Sequence, residues 1–229
     1  MKRGFSADQV RAAEAPHLAV GEPLMRVAAA ALAAELRQLL IGAGNHVLVL
    51  AGSGNNGGDA LWAAAELAAE NVDVAIIRTG SHVHEESLAA AIAAGARVVA
   101  LDEAGGEAAN ADVIVDGILG TGSGPSPVLR GDARLVVADV LAAIRQRTNE
   151  PQIVAVDLPS GIDPDDGSVA DPLVLAADVT LTFGAYKAGL LLAPASLLCG
   201  RVILVDIGLG AQLAAMEPLI ECRNSSVPE

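Results

Sequence analysis

Oxygen-bearing side chains set among glycines recur three times in this chain, each time directly after a short apolar run. The first cluster, residues 52–59, reads Gly-Ser-Gly-Asn-Asn-Gly-Gly-Asp and follows Val47, Leu48, Val49 and Leu50. The second opens with Asp116 and Gly117 and continues through Gly120, Thr121, Gly122, Ser123, Gly124, Pro125 and Ser126. The third runs from Asp157 through Ser160 and Gly161 to Asp163, and Lys187 follows a further apolar run at 179–183. Asn55, Asn56 and Asp59 add polar side chains to the first cluster, the carboxylate of Asp157 is suited to proton transfer, and oxygens from Asn56, Asp116 and Ser160 are suited to a hard cation. The glycines permit close approach of a bound group, and a helix opening after the first cluster offers unpaired N–H groups to an anion such as phosphate.

Gly52, Gly54 and Gly57 fit the dinucleotide pattern G-x-G-x-x-G, which alone is a weak signal because glycine-rich turns also serve to pack a helix on a sheet. An ordinary dinucleotide fold places an acidic residue at the end of the second strand to hold a ribose. Here that strand, 72–77, ends in Arg78 and Thr79, and Asp73 stands at its start, at the opposite edge of the sheet. No Gly-Lys-Ser/Thr follows the first cluster, which excludes a Walker loop. The stretch is therefore a phosphate cradle of another kind, or a turn and nothing more.

Strand and helix alternate around these clusters. A helix is expected from the Ser6 cap to about Ala15, ahead of Pro16, and a long amphipathic one over Leu24–Leu40. Further helices are expected over 60–69, 85–94 and 133–145, with strands at 72–77, 98–101, 112–115, 153–156, 179–183 and 202–205. That order implies an α/β domain, residues 1–216, with a mostly parallel sheet between two helical layers and an N-terminal helical arm; residues 217–229 read as a polar tail. Parallel strands put their carboxyl ends on one edge, so Asn56, Asp116, Asp157, Ser160 and Lys187 can converge from distant parts of the chain. Each also has a purely local use. Asn56, Asp116 and Asp157 can cap the turn or helix next to them, Ser160 can sit in a turn, and Lys187 can lay its stem along the surface with its charge in water.

The formal charge of −14 excludes a nucleic-acid or anionic-membrane partner. It also means that an anionic ligand is held by backbone N–H groups, a few cations or a metal ion. Cys199 and Cys222 have no metal-ligand spacing, which points to a reducing cytoplasm, and no run is long and apolar enough to be read as a bilayer span.

The three clusters, with 182–189 and the Leu24-Met25 pair, resemble the NAD(P)H-hydrate epimerase family, also called the YjeF N-terminal domain. The resemblance implies a Rossmann-like α/β/α domain that interconverts the R and S epimers of NADH or NADPH hydrated at C6 of the nicotinamide, for a separate dehydratase that acts on the S form. It implies Asn55, Asn56, Gly57, Gly58 and Asp59, together with 120–126, as substrate contacts, and Asp157 as a catalytic or substrate-facing carboxylate. It further implies Asn56, Asp116 and Ser160 as ligands of one potassium ion, and a homodimer. Lys187 joins the substrate-facing set because its strand ends on the same edge. Ala60, where the family usually has glycine, and the bulky Trp62 depart from the pattern. A non-catalytic nucleotide-binding or protein-interaction module of the same fold is the alternative function, and an ordinary dehydrogenase is a weaker one.

Overall fold

The computed structural model describes residues 1–122 and 127–222. Its main sheet has seven strands, all parallel: β2 (His46–Ala51), β3 (Asp73–Arg78), β4 (Arg97–Val98), β5 (Val113–Gly117), β6 (Gln152–Val156), β7 (Val179–Phe183) and β9 (Arg201–Val205). They lie in the order β4-β3-β2-β5-β6-β7-β9. A three-stranded sheet joins β1 (Lys2–Phe5) to β8 (Tyr186–Lys187) on one side and β10 (Ile220–Cys222) on the other. The helices are α1 (Ala7–Ala19), α2 (Leu24–Leu40), α3 (Asn55–Ala69), α4 (Glu85–Ala93), α5 (Ala104–Asn110), α6 (Gly131–Ile144) and α7 (Gly210–Ala214).

Because strand side chains alternate between faces, the aliphatic runs divide into two cores. Val47, Val49, Val74, Ile76, Val113, Val115, Val154 and Val156 face α2, α3 and α4, whereas Leu48, Leu50, Ala75, Ile77 and Ile114 face α5 and α6. The expected three-layer α/β/α domain is the observed one. Among the described residues no helix is long and apolar enough to cross a membrane.

Several local expectations are corrected. Helix α1 does not stop before Pro16 but runs to Ala19: a single proline forfeits one hydrogen bond to the preceding turn, while the Ser6–Gln9 capping box and the buried Val10 and Ala13 hold the remainder. Helix α3 starts at Asn55 rather than at residue 60, so Asn55, Asn56, Gly57, Gly58 and Asp59 form its first turn rather than a loop. Glycine is a poor helix former, and its use here is steric. A Cβ on Gly57 would lie 2.1 Å from the Gly52 carbonyl oxygen, and one on Gly58 would lie 2.9 Å from the Met25 side chain of α2. Helix α5 was not expected at all, and β4 is two residues long where four were expected. Part of the expected polar tail is a strand: β10 pairs antiparallel with β1, and residues 223–229 lie outside the described residues.

The arm packs on its own domain. Leu24, Ala28, Leu32 and Leu36 are buried against α3 and the sheet, while Val27 on the same helix is exposed. Trp62 takes no part in the strand-end loops; it is stacked 3.8 Å beneath the Arg26 guanidinium, between α2 and α3. Ala60 is buried, and its Cβ is what keeps residue 117 a glycine, since a Cβ there would fall 2.8 Å away.

Candidate functional site

The chain runs outward from β2 to β3 and β4, then returns to lay β5 on the other flank of β2. The loops leaving β2 and β5 therefore splay to opposite faces and open a crevice, the usual place for a ligand in a doubly wound sheet. A cavity of about 560 Å³ lies there, within the range of small-molecule sites. Residues 52–56, Thr79, Gly80, residues 118–122 and 128–130, and Arg11 and Glu14 of α1 are among those lining it. A cleft of similar volume, about 580 Å³ between α5 and α6, is lined by none of these loops.

Close contact between the two loops explains their glycines. A Cβ on Gly52 would stand 1.8 Å from the Ile118 carbonyl oxygen, and one on Gly120 would stand 2.3 Å from Asn56 Oδ1. Gly54 is the N-cap of α3, and no side chain caps it, so the first N–H groups of this 15-residue helix remain available at the cavity wall. Two cations, Arg11 and Arg130, stand in the same wall. Arg11 Nη1 donates to the Thr121 carbonyl at 2.7 Å, which ties α1 to the second loop.

Below the crevice lies a buried polar knot. Asp116, at the end of β5 between Leu50 and Ala155, is fully buried. Its Oδ1 accepts from Ser160 Oγ at 2.6 Å and from the Ile118 N–H at 3.3 Å, and its Oδ2 accepts from the Ser160 N–H at 2.8 Å. Burial pushes its carboxyl above the usual range, and these hydrogen bonds pull against that. Ser160 Oγ accepts from the Leu119 N–H at 2.8 Å, while Asn56 Nδ2 donates to the Leu119 carbonyl at 3.3 Å and to the Val156 carbonyl. Asn56, Asp116 and Ser160 thus meet around one backbone unit, as the strand-end argument anticipated.

Asp157 is the strained residue of the site. It follows β6 with φ of 70°, and the Leu158 N–H closes a three-residue turn onto the Val156 carbonyl at 2.9 Å. A similar turn at the end of neighbouring β7 uses Gly184 at φ 72°, where the conformation costs little; at an aspartate it costs of order 1–3 kcal/mol and persists because the surroundings hold it. Asp157 Oδ1 accepts from Thr182 Oγ1 at 3.1 Å, from the Phe183 N–H at 3.2 Å and from Lys187 Nζ. Lys187 also donates to Thr182 Oγ1 at 3.2 Å and to the Phe183 carbonyl at 3.0 Å. Among the described residues none donates to Asp157 Oδ2.

Lys187 is therefore a buried partner of Asp157 and not a solvated surface side chain. Asp59, on the first turns of α3, is buried with no hydrogen-bond partner among the described residues. Burial raises its carboxyl well above the usual range, Asp157 and Glu14 raise it further, and Lys187 opposes them.

Asn55, Asn56, Gly120, Thr121 and Gly122 line the cavity, whereas Gly57, Gly58 and Asp59 lie in the wall behind it. Ser123, Gly124, Pro125 and Ser126 lie outside the described residues. Sequence reasoning missed Arg11, Glu14, Thr182 and the cavity-lining Thr79 and Gly80. Thr79 was legible as a strand-end residue; Glu14 carried no signal, because the facing of α1 is set by packing. Asp73, at the start of β3, pairs with Arg97 at 3.2 Å, and the end of β3 carries Arg78 and Thr79 where a dehydrogenase would place a ribose-binding carboxylate. The Cys199 thiol is pushed up to about 12 by burial, which removes it as a nucleophile.

Comparison with known proteins agrees with this fold and names the family. A crystal structure of yeast ynu0 superposes with a TM-score of 0.70 over 89% of this chain and 88% of the yeast chain; at 22% identity that likeness concerns the fold. The NAD(P)H-hydrate epimerase of Clavibacter michiganensis subsp. michiganensis is 51% identical over 227 residues, covering 96% of each chain. That of Microbacterium testaceum is also 51% identical, over 98% of this chain and 86% of the relative. The Bifunctional NAD(P)H-hydrate repair enzyme Nnr of Mycobacterium tuberculosis is 42% identical over 91% of this chain, which spans 42% of that longer protein. The model of the YjeF-related protein N-terminus matches residues 21–189, and with relatives this similar over nearly the whole length, the chain belongs to that family.

Proposed function

We propose that this protein is an NAD(P)H-hydrate epimerase, interconverting the R and S forms of NADH or NADPH hydrated at C6 of the nicotinamide ring. The observation that carries the reading is Asp157: a buried carboxylate at positive φ, with one oxygen committed to Lys187, Thr182 and Phe183 and the other unclaimed among the described residues. A base held in this way is oriented before substrate arrives, which is what proton transfer to or from the oxygen on C6 requires. The α3 N-terminus, Arg11 and Arg130 would hold the pyrophosphate at the cavity wall, with Gly120, Thr121 and Gly122 beside it. In the cell, taken to be the cytoplasm, the S form would pass to a separate dehydratase, a coupling in line with the name of the bifunctional relative. The coupled assay is direct. A dehydratase specific for the S form should stop with the R form unconsumed, and adding this protein should carry the reaction to completion; a persistent R residue would refute the reading.

Asn56, Asp116 and Ser160 would hold one potassium ion. The fit rests on Asp116, a fully buried carboxylate that no Lys, Arg or His touches among the described residues, set among neutral oxygens. Asn56, Asp116 and Ser160 offer one carboxylate and two neutral oxygens, a donor set suited to a weakly charged site for a large monovalent cation. When bound, the ion supplies positive charge near the phosphates in an otherwise acidic protein. Exchange should fall when potassium is replaced by tetramethylammonium and return on adding it back; equal rates in both salts would remove the ion from the account. A homodimer is part of the same proposal, with exposed Leu18, Val20 and Val27 of the arm at or near the interface. Light scattering showing a monomer at micromolar concentration would defeat it.

A further inference from the structure

We propose that Glu14 of α1 is a second acid–base residue of this reaction, supplying the proton with which the C6 hydroxyl leaves while Asp157 accepts the proton of the water that returns. The inference rests on the epimerase reading and deepens it. An exchange of hydroxyl between two faces of one carbon needs a proton donor at the face of departure and an acceptor at the face of return, and two carboxyl groups meet both needs without either crossing the ring. Glu14 lines the cavity, half-buried, from a helix that Arg11 ties to the second loop one turn away. Among the described residues none hydrogen-bonds to Glu14 or ion-pairs with it.

Its surroundings favour the protonated form. Burial raises the Glu14 carboxyl above the usual range; Lys187 lowers it, Asp157 raises it and Arg11 lowers it, in that order of size. Three carboxylates, Glu14, Asp59 and Asp157, interact around one buried ammonium, and that ammonium is bonded to Asp157.

In the R-to-S direction the Glu14 proton passes to the C6 hydroxyl oxygen, the C6–O bond breaks, and the N1 lone pair forms the N1=C6 bond as water leaves. Water then adds to the other face of C6, the π pair returns to N1, and the proton released goes to Asp157. Exchange with solvent restores both carboxyl groups, and the reverse reaction uses them in the opposite order.

The test compares the wild-type protein with E14Q and E14D, following exchange by proton NMR across pH and the binding of intact NADPH by calorimetry. E14Q should lose about a hundredfold or more in kcat while KM and NADPH affinity change little, and E14D should recover part of the loss. The wild-type rate should fall on the alkaline side as Glu14 gives up its proton, under the combined influence of Arg11, Asp59, Asp157 and Lys187, and E14Q should lack that limb. A wild-type rate and pH profile in E14Q would overturn the role of Glu14 and leave the epimerase reading standing. A loss of NADPH binding in E14Q equal to its loss of rate would overturn it too, in favour of a structural contact. No exchange by the wild-type protein would bring down both.

Discussion

Asp157→Asn is expected to slow exchange between the R and S epimers by about a hundred- to ten-thousand-fold, the range in which a positioned acid–base group contributes. The substitution keeps the shape of the side chain and an oxygen acceptor for Thr182, the Phe183 N–H and Lys187, so the strained turn and its neighbours have the same hydrogen-bond partners. What is lost is the ability to take up a proton, together with the counter-charge to the buried Lys187 ammonium, so D157N is expected to be less stable than the wild-type protein as well as slower. Binding of intact NADPH should therefore persist while turnover disappears, a combination that distinguishes lost chemistry from lost folding. If D157N exchanged the epimers at the wild-type rate in the NMR assay, Asp157 would have no part in the mechanism.

Lys187→Met should be the most destabilising single change in the site. The ammonium is almost wholly buried, and its removal leaves the Asp157 carboxylate buried without a counter-charge, a situation that costs about 3–5 kcal/mol. Thr182 Oγ1 and the Phe183 carbonyl each lose a hydrogen bond as well. Urea denaturation of the wild-type protein, K187M and the double variant D157N/K187M measures the coupling: the double variant should recover part of the loss, because it no longer buries an unpaired charge. Equal midpoints for K187M and the wild-type protein would mean that the pair contributes nothing to stability.

These expectations depend on positions that were unequally legible in the sequence. The ends of β2, β5 and β6 could be read because an apolar run that breaks into glycine and polar residues has few alternatives, and Asn56, Asp116, Ser160 and Asp157 came with them. The start of α3 could not, since Gly57 and Gly58 argue locally against a helix and make sense only once Gly52 and Met25 are known to press against them. Strand order was equally hidden. Nothing local says that β5 returns beside β2, yet that return creates the crevice. The burial of Lys187 depends on β8 pairing with β1 at the far end of the chain, and the facing of Glu14 depends on how α1 docks; both are tertiary facts. Pro16 misled for a related reason, as the helix around it is held by packing rather than by propensity.

The central claim is that this site moves a hydroxyl between the two faces of one ring carbon. It is tested most directly by adding the wild-type protein to the purified R epimer of hydrated NADPH, with no other enzyme present, and following the C6 proton by NMR. The account predicts rapid growth of the S signal to a constant ratio, at a rate proportional to protein concentration, with no net loss of hydrated cofactor. An R signal that decayed no faster than in buffer alone would contradict it.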